Sequence, residues 1–255
     1  MTSWFTQLKP DPRARFRLFC FPHAGGASTS FHRWPQHISS GVGICAAQLP
    51  GRGRRIKEPP ETNLLILVEK LAHAIRPYLD RPFVFFGHSM GALISFELAR
   101  RLRREKGGEP AHLFVSGRRA PQIAGGDDVT YNLPTAEFIN ELRRLNGTPA
   151  EVLEHPELME LMLPLLRADF EMVETYTYSA ETPLACPISA YGGAQDSEVK
   201  LEHLRAWRDQ TTADFTSRMF AGDHFFIYQD EALPQAIDRE LRARYDLNER
   251  HPPAV

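Results

Sequence analysis

The sequence predicts an α/β fold, with a mostly parallel central sheet flanked by helices. Short apolar runs alternate with longer stretches of helical periodicity, the pattern of βαβ units. The run Phe83-Val84-Phe85-Phe86 is apolar without interruption, as expected of a parallel strand buried on both faces. A chain of 255 residues, 42% of them hydrophobic, is long enough for one such unit with a substantial core.

In chain order, Phe16–Phe21, Ile44–Leu49, Phe83–Phe86, His112–Ser116 and Ile188–Tyr191 read as strands, with Asp214–Phe220 as a further candidate. Residues Leu64–Leu79 place Leu64, Leu67, Val68, Leu71 and Ile75 at helical spacing and end near Pro77. Met90–Leu102 repeats the pattern with Leu93, Phe96, Leu98, Ala99 and Leu102, and a last helix is expected over Pro234–Tyr245. Between about Pro121 and Pro183 the alternation stops. Glu137–Leu145 and Pro156–Tyr176 are helical there, and Pro164 should kink or break the second. The chain thus divides into a core, 1–120 and 184–255, and a helical insertion, 121–183, that is either a lid or extra core packing.

Composition removes several function classes. Charged residues make up 24% and the formal net charge is −2, so bulk charge points to neither nucleic acid nor an anionic membrane. No apolar run approaches the length of a membrane span, and MTSWFTQLKPDPRAR lacks the apolar core of a secretory leader. Cys20, Cys45 and Cys186 are odd in number and widely spaced, which argues against a disulfide framework or a zinc site and fits the cytoplasm. The polar, Pro-rich tail from Asn248 is expected to fray.

The chemistry is carried by Gly87-His88-Ser89-Met90-Gly91, a G-x-S-x-G segment. Alone it is a short pattern. Here it follows a buried strand and opens a helix, the context of a nucleophile elbow and therefore of an α/β-hydrolase fold. The turn projects Ser89 Oγ from the carboxyl edge of the sheet at a helix N-terminus, where developing negative charge is favoured. A serine hydroxyl needs a base, and the base an orienting acid; on this fold they follow in the order Ser, acid, His. His224 lies in a loop after the last strand candidate, whereas His112, His155, His203 and His251 fall on a strand, the insertion, a polar helix and the tail. Asp196 ends a Gly-containing loop after the strand beginning at Ile188. Asp223 competes, but neighbouring side chains rarely face each other as a triad requires. The oxyanion needs two backbone amides. Met90 supplies one, and Ala24, in the loop Phe21-Pro22-His23-Ala24-Gly25-Gly26, the other.

FPHAGG at Phe21–Gly26, QLPGRGRR at Gln48–Arg55, FFGHSMGA at Phe85–Ala92, LLRADFEMVETY at Leu165–Tyr176, GGAQD at Gly192–Asp196 and GDHFFI at Gly222–Ile227 occur in order across nearly the whole chain. Together they resemble the type II thioesterases that accompany polyketide and nonribosomal peptide synthases. The resemblance implies hydrolysis of stalled or aberrant acyl groups from the phosphopantetheine thiol of acyl- or peptidyl-carrier proteins. It implies the triad Ser89, Asp196 and His224 and a mobile lid. The arm arrives on the substrate, so neither cofactor nor metal is expected, and the protein should act as a monomer. Rivals on the same fold are a general acyl-CoA thioesterase or esterase and an acyltransferase; a rival of another class is a non-catalytic binding protein.

Three segments stay ambiguous on sequence. Arg100, Arg101, Arg103, Arg104 and Lys106 read as a solvated helix face. Arg52, Arg54, Arg55 and Lys57 form a basic loop that is either solvated or a docking surface for an acidic carrier. In Leu161–Leu166, Met162 and Leu166 are candidate liners of an acyl pocket, with Pro164 a candidate hinge.

Overall fold

A computed structural model describes residues 4–123, 129–145, 153–229 and 231–245; the tail from Asn248 lies outside the described residues. The seven strands are β1 (Phe5–Lys9), β2 (Phe16–Phe21), β3 (Val42–Ala47), β4 (Phe83–His88), β5 (His112–Ser116), β6 (Ile188–Gly193) and β7 (Phe215–Phe220). They form one sheet in the order β1-β3-β2-β4-β5-β6-β7. All neighbours pair in parallel except β1 with β3. β1 escapes the sequence patterns because it is a short edge strand of which only Phe5 is buried. β3 begins two residues before its expected start, since Gly43 interrupts the apolar run without interrupting the strand.

The helices are α1 (Leu64–Ile75), α2 (Met90–Arg104), α3 (Thr135–Arg144), α4 (Pro156–Glu174), α5 (Leu201–Arg205) and α6 (Ala232–Tyr245). Asn63 caps α1, its side chain accepting from the amides of Leu65 and Ile66 at 3.0 and 3.1 Å. Because successive strand residues point to opposite faces, the sheet builds two cores. Phe19, Phe21, Phe85 and Val115 pack with α1 and α2. Leu18, Cys20, Val84, Phe86 and Phe114 pack with α6 on the other face. The three cysteines are buried, free members of these cores. Their burial pushes the thiols up, Cys45 to about 11 and Cys186 to about 12.

The insertion has a small core of its own, Phe138, Leu142, Met159 and Leu166. Its last helix also reaches the main core through Met172. Pro164 does not break α4, which runs on through it for ten residues. Pro164 is exposed, so water can satisfy the carbonyl of Glu160 that the missing N–H leaves without its helical partner. Arg100 departs from the solvated face expected of it. It is 3% exposed, paired with Glu97 at 2.5 Å and Glu181 at 2.8 Å, and donates to Ser179 O at 2.5 Å. It thereby ties the chain returning from the insertion onto α2.

Candidate active site

Six parallel strands, β2 to β7, deliver their following loops to one edge of the sheet, and the site is assembled from them. After β4 the chain turns through Ser89 into α2. Ser89 has φ 54° and ψ −114°, a conformation unfavourable for a residue with a Cβ. The flanking glycines make the turn possible. A Cβ on Gly87 would stand 2.0 Å from Gly91 O, and one on Gly91 would stand 2.1 Å from Phe21 O. Ser89 N–H donates to Ser116 O at the end of β5, at 2.8 Å, which pins the elbow to its neighbour.

After β6, the loop brings Asp196 under His224. His224 Nδ1–H donates to Asp196 Oδ2 at 2.7 Å. Asp196 Oδ1 accepts the amides of Glu198 and Val199 at 2.8 and 3.1 Å, and the carboxylate is wholly buried. This fixes the acid in place and holds His224 in the tautomer whose Nε2 is free to take a proton. Asp223, the competing acid, instead accepts the amide of Phe225 at 2.8 Å and shapes the loop.

Two further histidines stand beside the triad. His88 is fully buried, its Nδ1 3.0 Å from Ser116 Oγ and its ring 5.2 Å from that of His224. His23 Nδ1–H donates to Ala24 O at 2.8 Å, and its Nε2 accepts from Tyr228 OH at 2.7 Å. Burial drives the pKa of His23 down to about 4 and that of His88 well below the usual imidazole range. Both rings are thus neutral near pH 7 and place no positive charge beside His224.

Ser89, His224, Ala24 and Met90 line one cavity of about 680 Å³. Met90 opens α2, so its amide has no preceding helical carbonyl to bond. Leu133, Leu142, Leu166 and Phe170 of the insertion form an apolar wall, while Arg118 and Arg119 line another part. Leu166 therefore lies where the sequence suggested. Met162 does not line the cavity; it is half-buried against the insertion's own small core. The basic loop also differs from its expectation. Arg52 and Arg55 are buried, and only Arg54 and Lys57 of the four cations are exposed. Arg55 lies 3.7 Å over the Trp4 ring and donates to Glu58 and Gln48 O, while Arg52 pairs with Asp169. Sequence reasoning missed Asp169, although a carboxylate three residues after Leu166 and three before Met172 on one apolar helix face is itself a sign of a buried partner. Among the described residues, no cluster of three or more His, Cys, Asp or Glu is arranged to hold a metal, and no helix is long and apolar enough to cross a membrane.

The family model of the thioesterase domain matches residues 16–243. The chain belongs to the thioesterase family. This thioesterase is 47% identical over 231 residues to the gramicidin S biosynthesis protein GrsT of Aneurinibacillus migulanus, covering 91% of this chain and 90% of that protein. Among solved structures, the type II thioesterase BorB from the borrelidin biosynthetic cluster superposes with a TM-score of 0.85 at 36% identity, covering 95% of this chain and all of that one. RedJ, the thioesterase of the prodiginine pathway in Streptomyces coelicolor, gives 0.84 at 36% identity, covering 89% of this chain and 86% of its own. The relatedness to type II thioesterases and the α/β-hydrolase fold agree with the motif order. The thioesterase is an enzyme that hydrolyses thioester bonds.

Proposed function

We propose that this thioesterase removes stalled or aberrant acyl groups from the phosphopantetheine arms of acyl- or peptidyl-carrier proteins of a polyketide or nonribosomal peptide synthase. It acts as a monomer in the cytoplasm and needs no cofactor beyond the arm its substrate carries. The observation that carries this reading is the joining of the Ser89, His224 and Asp196 constellation to a cavity with an apolar wall, in a chain akin to enzymes of named biosynthetic clusters.

Ser89 Oγ attacks the thioester carbonyl while His224 Nε2 takes the hydroxyl proton, and the C=O π electrons move onto oxygen. The amides of Ala24 and Met90 hold that oxyanion. Collapse of the tetrahedral species breaks the C–S bond, and His224 returns its proton to the departing thiolate. Water then attacks the acyl-serine, its proton passing to His224 and from there to Ser89 Oγ, and the free acid leaves.

The test is intact-protein mass spectrometry of carrier proteins loaded with different acyl groups, before and after exposure to the enzyme, beside the matching acyl-CoA esters. A kcat/KM for the carrier at least about tenfold above that for the CoA ester is expected, since only the carrier offers a protein surface for steering. Equal values would favour a general acyl-CoA thioesterase, and transfer of the acyl group to an added amine or alcohol would favour an acyltransferase.

A further inference from the structure

The loop that supplies Ala24 is held from both sides. Ala24 O accepts His23 Nδ1–H at 2.8 Å, and the other end of the same peptide group, Gly25 N–H, donates to Asp169 Oδ2 at 2.7 Å. Gly26 N–H donates to His23 O at 2.9 Å. Of the amides of Ala24, Gly25 and Gly26, the last two are thus bonded within the protein, and Ala24 N–H is the one offered to the cavity.

Asp169 does not belong to the sheet. It stands on α4 of the insertion, wholly buried, and meets Arg52 in a two-pronged pair at 2.7 and 2.8 Å. Arg52 comes from the loop after β3 and also donates to Gly26 O at 3.1 Å. Leu166, one turn earlier on α4, seats against the same loop: a Cβ on Gly25, whose φ is +73°, would stand 2.7 Å from Leu166 Cδ2. A peptide group bonded at both ends cannot rotate about its neighbouring Cα bonds without breaking a buried charge-assisted hydrogen bond. The amide of Ala24 belongs to the preceding peptide group, whose carbonyl, His23 O, is held in turn by Gly26 N–H of the same clamped loop.

We propose that Asp169, clamped by Arg52, is a positioning residue of the oxyanion hole, so that the hole is complete only when α4 of the insertion is seated on the Ala24–Gly26 loop. This rests on the hydrolytic reading of Ser89 and deepens it. The insertion then both lines the cavity and sets the electrostatics of the reaction at the far side of the nucleophile.

The decisive variant removes the clamp without leaving a buried charge. Arg52→Met combined with Asp169→Leu replaces the pair by apolar side chains, an exchange often neutral for stability. It should melt close to wild type and keep KM for a small acyl thioester within about twofold, while kcat falls at least about tenfold, as expected of a misaimed oxyanion donor. Phosphonylation of Ser89 by an alkyl fluorophosphonate should slow in parallel, because that reaction also develops charge on an oxygen facing the hole. Asp169→Asn keeps an oxygen for Gly25 N–H and should lie between wild type and the double variant; it carries the test alone if the double variant does not fold. Unchanged kcat and phosphonylation in a folded variant, or a raised KM at unchanged kcat, would overturn the proposal. A wild-type enzyme that hydrolyses no thioester, with phosphonylation still sensitive to Asp169, would leave the clamp standing and remove the hydrolytic reading.

Discussion

A non-glycine residue at φ 54° and ψ −114° is held against its own preference, at a cost on the order of 1–3 kcal/mol. Ser89 sits there because Ser116 O anchors its amide and the glycines on either side admit the neighbouring backbone. Ser89→Ala should therefore abolish turnover without gaining stability, whereas Ser89→Gly should abolish it and melt above the alanine variant by about 1 kcal/mol at the midpoint. Equal melts for the two would mean that the turn is not strained. Asp196→Asn should lower kcat by on the order of 10⁴, as loss of the triad acid does in serine proteases, because the correct His224 tautomer is no longer enforced. Asp223→Asn should stay within about tenfold of wild type, since the carboxylate bonded to His224 is that of Asp196; the reverse order of effects in steady-state kinetics would move the acid to Asp223. The buried neutral histidines set an acid limit. His23 at about 4 and His112 at about 3, with His88 shifted the same way, bind fewer protons folded than unfolded. Stability should be fully present above the ordinary imidazole value of about 6.5 and fall as pH drops below it, by up to about 2 kcal/mol per histidine between pH 7 and pH 5. Urea midpoints across that range check this, and a flat profile would contradict the burial of the three rings.

At the scale of elements, α4 carries the most varied roles. Leu166 faces both the insertion's own core and the cavity, so Leu166→Ala should cost about 2–5 kcal/mol and also shift the ratio of turnover from short toward longer acyl chains. Met162→Ala, off the cavity wall, should lower stability without changing the chain-length profile. A thermal melt beside a panel of acyl thioesters separates the two; an altered profile in Met162→Ala would place that side chain in the acyl path after all. Pro164 is a poor hinge candidate in this arrangement, since the helix passes through it intact and its partner loop is clamped at Asp169, one turn further on.

For the whole molecule, a net charge of −2 leaves recognition of a carrier to local patches. With Arg52 and Arg55 buried, Arg54 and Lys57 are the members of the basic loop that an acidic partner can reach. Substituting both by Ala should raise KM for an acyl-carrier protein, flatten its salt dependence and leave a small thioester unaffected. The same change at Arg55 would confound the assay, because it removes a buried cation stacked on Trp4 and bonded to Glu58. Equal loss on both substrates by the Arg54 and Lys57 pair would exclude the loop from docking.

The sequence by itself determined the parallel strands, the elbow and the chain order of the candidate triad. Those features are local: an unbroken apolar run, glycines where backbones must touch, and polar residues in loops after strands. The near-continuous burial of β2 and β4 and the period-3.6 burial of α1 write themselves into the composition of each segment. Only the tertiary structure decided the roles of residues whose partners lie far away along the chain. Arg52 and Asp169 are 117 positions apart and Arg100 and Glu181 are 81 apart, and each cation looks solvent-facing until its carboxylate is placed beside it. Burial of a charge depends on a partner brought by another element, and nothing in the periodicity of its own segment encodes that. For the same reason the edge strand β1, held by pairing with β3 more than by its own pattern, and the coupling of α4 to the oxyanion loop emerge only once the chain is folded.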